Sequence, residues 1–184
     1  QQLGDAFLED EGRVMDSIQN LRDKAYASGH LKDTDHVKVV REERVIMIEP
    51  AVERVVYVPV YDTRVVYGPW WWNDYPPVYW HRYSHQVYFS GSFYWGPRVY
   101  IGPSFHFSSC HWSNRRVVII DHHHHRDYYH HRHAYTGRYL AHYEGAQHWN
   151  HNPSHRRGVA YYNEPVRARY NSNREPSRNA WDDR

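Results

Sequence analysis

Apolar residues in the first thirty positions recur by threes and fours: Leu3, Phe7, Val14, Ile18, Leu21 and Ala25. That spacing predicts an amphipathic helix over residues 1–29, with one break in the stripe at Asp10–Glu11. Asp5, Glu9, Asp10 and Glu11 fall early and Arg22 and Lys24 late, as the helix dipole favours, and Ser28-Gly29 supplies a stop. The stripe packs either on this chain's own sheet or on another copy, and it is too short to argue a coiled coil.

From Val37 the pattern turns to β. Val37-Lys38-Val39-Val40 leads through Arg41-Glu42-Glu43 into a phrase that occurs three times at a spacing of ten: Arg44-Val45-Ile46-Met47, Arg54-Val55-Val56-Tyr57 and Arg64-Val65-Val66-Tyr67. A period of ten fits one strand plus one turn and predicts an antiparallel meander. Val56, Val58 and Val60 share one face of the second copy, and Val55, Tyr57 and Tyr61 the other. Both faces are apolar, so the helix or a second chain should cover them. Pro50, Pro59 and Pro69 fall late in each copy or just after it, where strands end or form edges. Weaker echoes at Arg98-Val99-Tyr100 and Arg116-Val117-Val118-Ile119-Ile120 give further strands, with short candidates at Val87–Phe89 and Ser92–Trp95 between Gly-Pro turns.

These elements divide the chain into a helix (1–30), a β-repeat meander (36–68), aromatic-rich short strands (69–120) and a His/Arg-rich extended arm (121–184), with a short helix expected near Glu164–Tyr170 behind Pro165. The fold class is β-rich α+β. Leu, Ile, Val and Phe make up only about a fifth of the 184 residues, against 18 Tyr and 8 Trp, so Val and aromatics must hold the body together. The net charge of +2 leaves 17 His neutral. Mild acid would carry the charge toward about +19 and turn the His-rich half cationic. The chain opens without Met, signal peptide or long apolar run, which reads as a processed product or fragment with no segment able to span a bilayer.

The densest candidate chemistry is the His tract. His122, His123, His124, His125, His130, His131 and His133 are candidate ligands for Cu, Zn or Ni, with Asp121 and Asp127 as further acceptors. The plainer alternative is a solvated polar arm, since the run offers many ligands and no fixed geometry. The single Cys110 excludes an internal disulfide framework, and Cys110-His111, adjacent in a strand, point to opposite faces, a poor geometry for a nucleophile pair. No haem-attachment, phosphate-loop or nucleophile-elbow motif occurs, so no catalytic residue is assigned. Arg156, Arg157, Arg167, Arg169, Arg174 and Arg178 are interspersed with acids, which gives no clear nucleic-acid stripe.

Gln2–Phe7, Val14–Gln19, Leu21–Tyr26, Ile48–Ala51, Val56–Asp62, Val65–Trp70 and His151–Val159 together resemble the middle to C-terminal part of a bacterial family known only as domain of unknown function number thirty-three hundred. The resemblance implies an exported envelope protein and supplies no catalytic residue. The upstream helical part of the family domain is lacking here, and the middle carries Trp, Tyr and His where Gly is expected.

The expectation is a non-enzymatic, exported subunit of the periplasm, outer envelope or extracellular space. It would assemble with copies of itself, as a filament or by envelope or membrane-surface contact. The contacts would be sheet edges and Phe7, Ile18, Leu21, Trp70, Trp71, Trp72, Trp80, Trp95 and Trp112. The alternative is a His-rich module binding a divalent transition metal. On that alternative, calorimetry with Zn²⁺, Cu²⁺ and Ni²⁺ shows saturable, stoichiometric binding that substituting His122–His125 by Ala abolishes; weak binding indifferent to the substitution sinks it.

Overall fold

The computed structural model describes residues 1–52, 55–79, 88–90, 93–100, 108–120 and 145–171. Two compact units divide the chain: residues 1–14 with 150–184, and residues 15–149. Mixed α and short antiparallel β structure runs through it, behind an N-terminal helical segment.

That segment is two helices, α1 (Gln2–Glu9) and α2 (Glu11–Ala27). Asp10 separates them in extended conformation, and its carboxylate accepts the Arg13 N–H at 2.9 Å as an N-cap for α2. Beyond Ala27, Gly29 at φ +74° takes the left-handed conformation that closes the helix, with the N–H groups of His30 and Leu31 returned to the Ala25 carbonyl.

In the larger unit, β1 (Val37–Glu42) and β2 (Val45–Pro50) form an antiparallel hairpin, with Arg41 opposite Ile46. The free edge of β2 meets α2. The Ile46 N–H donates to Gln19 Oε1 at 2.8 Å, Gln19 Nε2 donates back to the Ile46 carbonyl at 3.2 Å, and Arg22 Nη1 donates to that carbonyl at 2.8 Å. A side-chain amide thus does for Ile46, itself buried, what a neighbouring strand would do. On the β1 side, Asp33 accepts the Val39 N–H at 2.8 Å.

The ten-residue phrase does not build a meander. Its second copy is shared between β3 (Val55–Val56), which pairs with β7 (Val99–Tyr100), and β4 (Pro59–Tyr61), which pairs with β6 (Phe93–Trp95). β6 also pairs with β5 (Tyr88–Ser90), giving the order β4-β6-β5. The third copy is a helix, α3 (Thr63–Val66). Asp62 explains it: the carboxylate accepts the Arg64 N–H at 2.9 Å, and Gly68 at φ +68° ends the turn. Capping at both ends outweighs the β preference of Val65-Val66. β8 (Ser108–His111), β9 (Arg116–Ile120) and β10 (Ala146–His148) make a further antiparallel sheet in the order β10-β9-β8. The core of this unit joins Ala25, Leu31, Ile46, Val66, Phe93 and Trp95, with Val37, Val39, Tyr57, Tyr61 and Tyr67 packed around them.

The smaller unit closes on one carboxylate. Asp5, 2% exposed, accepts from Arg156 Nη1 at 2.9 Å and from the backbone N–H groups of Tyr162 and Asn163. Arg156 also donates to the carbonyls of Val159 (3.0 Å) and Ala160 (2.6 Å) and lies 4.0 Å from the centre of the buried Tyr161 ring. Asn163 Oδ1 accepts the Val166 N–H at 3.2 Å and so caps α4 (Glu164–Asn171), whose Val166 is wholly buried. Arg169 reaches back to the Leu8 carbonyl at 3.1 Å. The short helix behind Pro165 is present, and the described residues 145–171 of the expected extended arm hold β10, a 3-10 turn (Pro153–Arg156) and α4.

Burial opposes ionisation of Asp5, but the N–H groups of Asn163 and Tyr162 and the Arg156 guanidinium outweigh it and hold the carboxyl below its usual range. A depressed carboxylate contributes stability above its unfolded value, near pH 4, that is lost as pH falls through the lower folded value. Asp5→Asn should therefore loosen this unit by about 3 kcal/mol, roughly 100-fold in hydrogen-exchange protection of the Tyr162 and Asn163 amides. The wild type should lose the same protection below about pH 4. Equal protection in wild type and variant at neutral pH would contradict the assignment.

Candidate functional site

The residues after α3 form a loop, 67–79, that carries a ledge of exposed aromatic rings. Its base is fixed by the chain entering and leaving it. Asp62 holds Arg64 through both carboxylate oxygens, at 2.9 Å from Nε and 2.7 Å from Nη2, and the Arg64 guanidinium lies 4.1 Å from the centre of the Tyr79 ring. The Thr63 hydroxyl donates to the Val78 carbonyl at 2.5 Å. Start and end of the loop are thereby tied together.

Inside the loop the Trp70 indole N–H donates to two carbonyls, of Trp72 at 2.9 Å and Tyr75 at 2.8 Å. Trp70 stacks tilted on Trp71 with centroids 4.4 Å apart, and Trp72 on Tyr75 at 4.5 Å. Tyr67 anchors the near end: its hydroxyl is 2.9 Å from that of Tyr61, and burial, reinforced by this hydrogen bond, pushes its phenol far above the usual range. From α2, Lys24 sets its ammonium 4.2 Å from the centre of Trp71, a cation–π contact. Gly68 permits the close approach, because a Cβ there would lie 2.6 Å from Ser28 Oγ.

The outcome is apolar area that the fold holds in water. Trp71 is 41% exposed, Trp72 52%, Tyr75 62% and Val78 63%. Trp70 is half-buried, serving as the ledge's support. A second feature, a groove of about 1120 Å³, lies between α2, the β1–β2 hairpin and the β8–β9 turn. Asp16 and Arg115 pair across it at 2.9 Å, and Arg22 sits 4.3 Å from the centre of Trp112. Cys110 and His111 both line this groove. Burial lowers the Arg22 pKa, partly offset by Cys110 and Tyr61. His111 is engaged by its own turn, its Nδ1 accepting the Asn114 N–H at 3.4 Å.

Of the expected contact residues, Trp71 and Trp72 are exposed, while Phe7, Ile18, Leu21, Trp70 and Trp112 are half-buried. Trp95 is corrected: it is 2% exposed and belongs to the chain's own core, stacked on His36 at 4.9 Å. Trp80 and the histidines His122, His123, His124, His125, His130, His131 and His133 lie outside the described residues. Among the described residues no group of three or more His, Cys, Asp or Glu is placed to hold a metal, and no helix is long and apolar enough to cross a membrane. Sequence reasoning missed Lys24, Arg64, Tyr75, Val78 and Tyr79 as parts of the ledge. Only the Asp62-Thr63 cap offered a signal, by implying a helix that turns the chain back.

The family model described as "Protein of unknown function (DUF3300)" matches residues 1–151, and the chain belongs to that family. The match takes in the ledge and the groove and ends at the first residue of the 151–159 phrase. A curated relative, "Uncharacterized protein YacH" of Escherichia coli (strain K12), is 37% identical over 111 residues, covering 43% of this chain and 18% of the relative. The chain thus spans less than a fifth of that relative's length. No solved structure matches the chain.

Gly68→Ala tests whether the loop base sets the ledge. The left-handed φ and the contact with Ser28 together should cost about 1–3 kcal/mol, and Ser28→Gly in the same chain should recover only the steric part. Urea unfolding followed by circular dichroism measures both; an unchanged midpoint in Gly68→Ala would refute the role.

Proposed function

We propose that this chain is a non-enzymatic structural module of an exported envelope or extracellular protein, and that it self-associates through the aromatic ledge of residues 67–79. The observation that carries this reading is the ledge itself: large rings held in solvent by hydrogen bonds and a cation, not left there by poor packing. Contiguous exposed aromatic area of this kind commonly marks a contact surface. Trp and Tyr dominate the energetics of such surfaces, each burying about 150–250 Å² on association. Location outside the cytoplasm is part of this proposal and rests on what the family resemblance implies.

Sheet edges contribute less than the repeat pattern suggested. Both edges of the β1–β2 hairpin are occupied by side chains, Gln19 and Arg22 on β2 and Asp33 on β1, which is how folds discourage edge-to-edge pairing. The ring stack therefore carries the contact. A ledge on one face meeting a different face of the next copy gives a heterologous contact, which closes into a ring or extends as a filament.

Size-exclusion chromatography with light scattering at neutral pH, together with electron microscopy, should find oligomers or filaments. Replacing Trp71, Trp72 and Tyr75 together by Ser should weaken association at least about 30-fold while leaving far-ultraviolet circular dichroism unchanged. A monodisperse wild-type monomer at high concentration would sink the proposal.

A further inference from the structure

An imidazole is built into the aromatic cluster of the smaller unit. His151 is half-buried, and its Nε2 lies 2.8 Å from the Tyr161 hydroxyl. Its ring stands nearly perpendicular to that of Tyr161, with centroids 5.9 Å apart, and to that of Tyr170 on α4, at 4.8 Å. The two phenol rings stack on each other at 5.7 Å. Tyr161, 4% exposed, is the centre of the cluster.

The cluster already carries a cation. The Arg156 guanidinium lies 4.0 Å from the centre of the Tyr161 ring and is paired with Asp5, the carboxylate on which the unit closes. Tyr161 thus has Arg156 over its ring and His151 at its hydroxyl. A proton on His151 would set a second positive charge beside the same ring. The groups that face His151 do not balance that charge. The 3-10 turn presents Arg156 and His155, α4 presents Tyr170, the stretch between them presents Tyr161, and α1 presents one carboxylate, Asp5. Asp5 favours the charged imidazole but is already held by Arg156 and the N–H groups of Tyr162 and Asn163. Burial, Arg156 and His155 outweigh it and hold the His151 imidazole below its ordinary range.

We propose that the smaller unit is an acid-opened clasp, in which uptake of a proton by His151 loosens residues 150–171 from α1 before Asp5 itself is protonated. The clasp is the set of bonds that joins the two ends of the chain: Arg156 to Asp5, Asn163 to Glu9, and Arg169 to the Leu8 carbonyl. Opening it uncovers that face of α1. A histidine held below its unfolded value, near pH 6.5, contributes stability that is present above that value and lost as pH falls through the lower folded one. This window lies above the one set by Asp5, so acid acts on the unit in two steps. The device belongs to the smaller unit and does not depend on self-association through the ledge.

Nuclear magnetic resonance on the full chain, labelled with ¹³C in histidine and ¹⁵N in the backbone, tests both halves of the idea. The His151 ring, assigned through its Overhauser contacts with Tyr161, should titrate below pH 6.5. Hydrogen-exchange protection of the Tyr162 and Asn163 amides, corrected for intrinsic rates, should fall severalfold between about pH 7 and pH 5 in the wild type. In His151→Gln, whose neutral amide can keep the bond to Tyr161, protection should stay level over that range and be lost only in the lower window of Asp5. Titration of His151 at or above its ordinary value, level protection in the wild type, or an equal fall in His151→Gln would each overturn the proposal. The first two outcomes are read on the wild type and decide the matter even if the variant does not fold.

Discussion

The larger unit depends on how one strand residue is satisfied by one helix. Ile46 is buried at the edge of a two-stranded hairpin, so its N–H and carbonyl have neither water nor a further strand to bond. Gln19 answers both and Arg22 answers the carbonyl again. A buried polar group left unmade costs more than a made bond returns, so this contact sets where α2 must lie. The position of α2 then settles much else. Ala25 enters the core, Asp16 and Arg22 form one wall of the polar groove, and Lys24 and Ser28 meet the ledge at Trp71 and Gly68. Core, groove and ledge are consequences of one helix docked on one strand edge.

Local structure was legible in the sequence wherever a residue's own neighbours decide it. The break at Asp10, the stop at Gly29, the strand Arg116–Ile120 and the helix behind Pro165 all follow from caps, breakers and short-range pattern. The repeat was legible as a pattern but not as a topology. Ile46 and Val66 occupy the same position in the first and third copies and are both buried in the one core, yet one sits in a strand and the other in a helix. The repeated phrase encodes burial, and Asp62 decides the backbone. Pairing was beyond reach for a further reason. Val55–Tyr61 pairs with residues 93–100, and which aromatic segment meets which valine segment depends on a register that no local signal specifies.

Buried charge was the least legible feature. Asp5 looked like one of several acids placed to favour a helix dipole, and Arg156 like part of a basic run. In the structure they are partners across 151 positions of sequence. One guanidinium and two backbone N–H groups take three of the carboxylate's four acceptor directions, and the guanidinium also ties down its own loop. An ion pair of this kind is weak evidence of net stability, but breaking either half strands the other. All three guanidinium nitrogens of Arg156 already donate within its own unit.

The allocation of aromatics follows from scarcity. With so few Leu, Ile and Phe, the core recruits Trp95, Tyr57, Tyr61 and Tyr67, and rings serve as wall, wedge and hydrogen-bonding group at once. Trp95 and Trp70 show the two outcomes. Trp95 is buried in the core with its N–H unmatched among the described residues. Trp70 stands at the surface with its N–H matched twice, which stiffens a loop whose other rings face water. Stiffness is what makes that exposure useful. A side chain already held in place gives up little freedom on contact, and each rotamer-rich side chain spared saves about 0.5–1.5 kcal/mol of association free energy. Lys24 over Trp71 and Arg64 over Tyr79 add a second effect, since cations held on the ring faces fix those rings further. For the proposed self-association, a surface built in this way would favour a specific contact over indiscriminate aggregation.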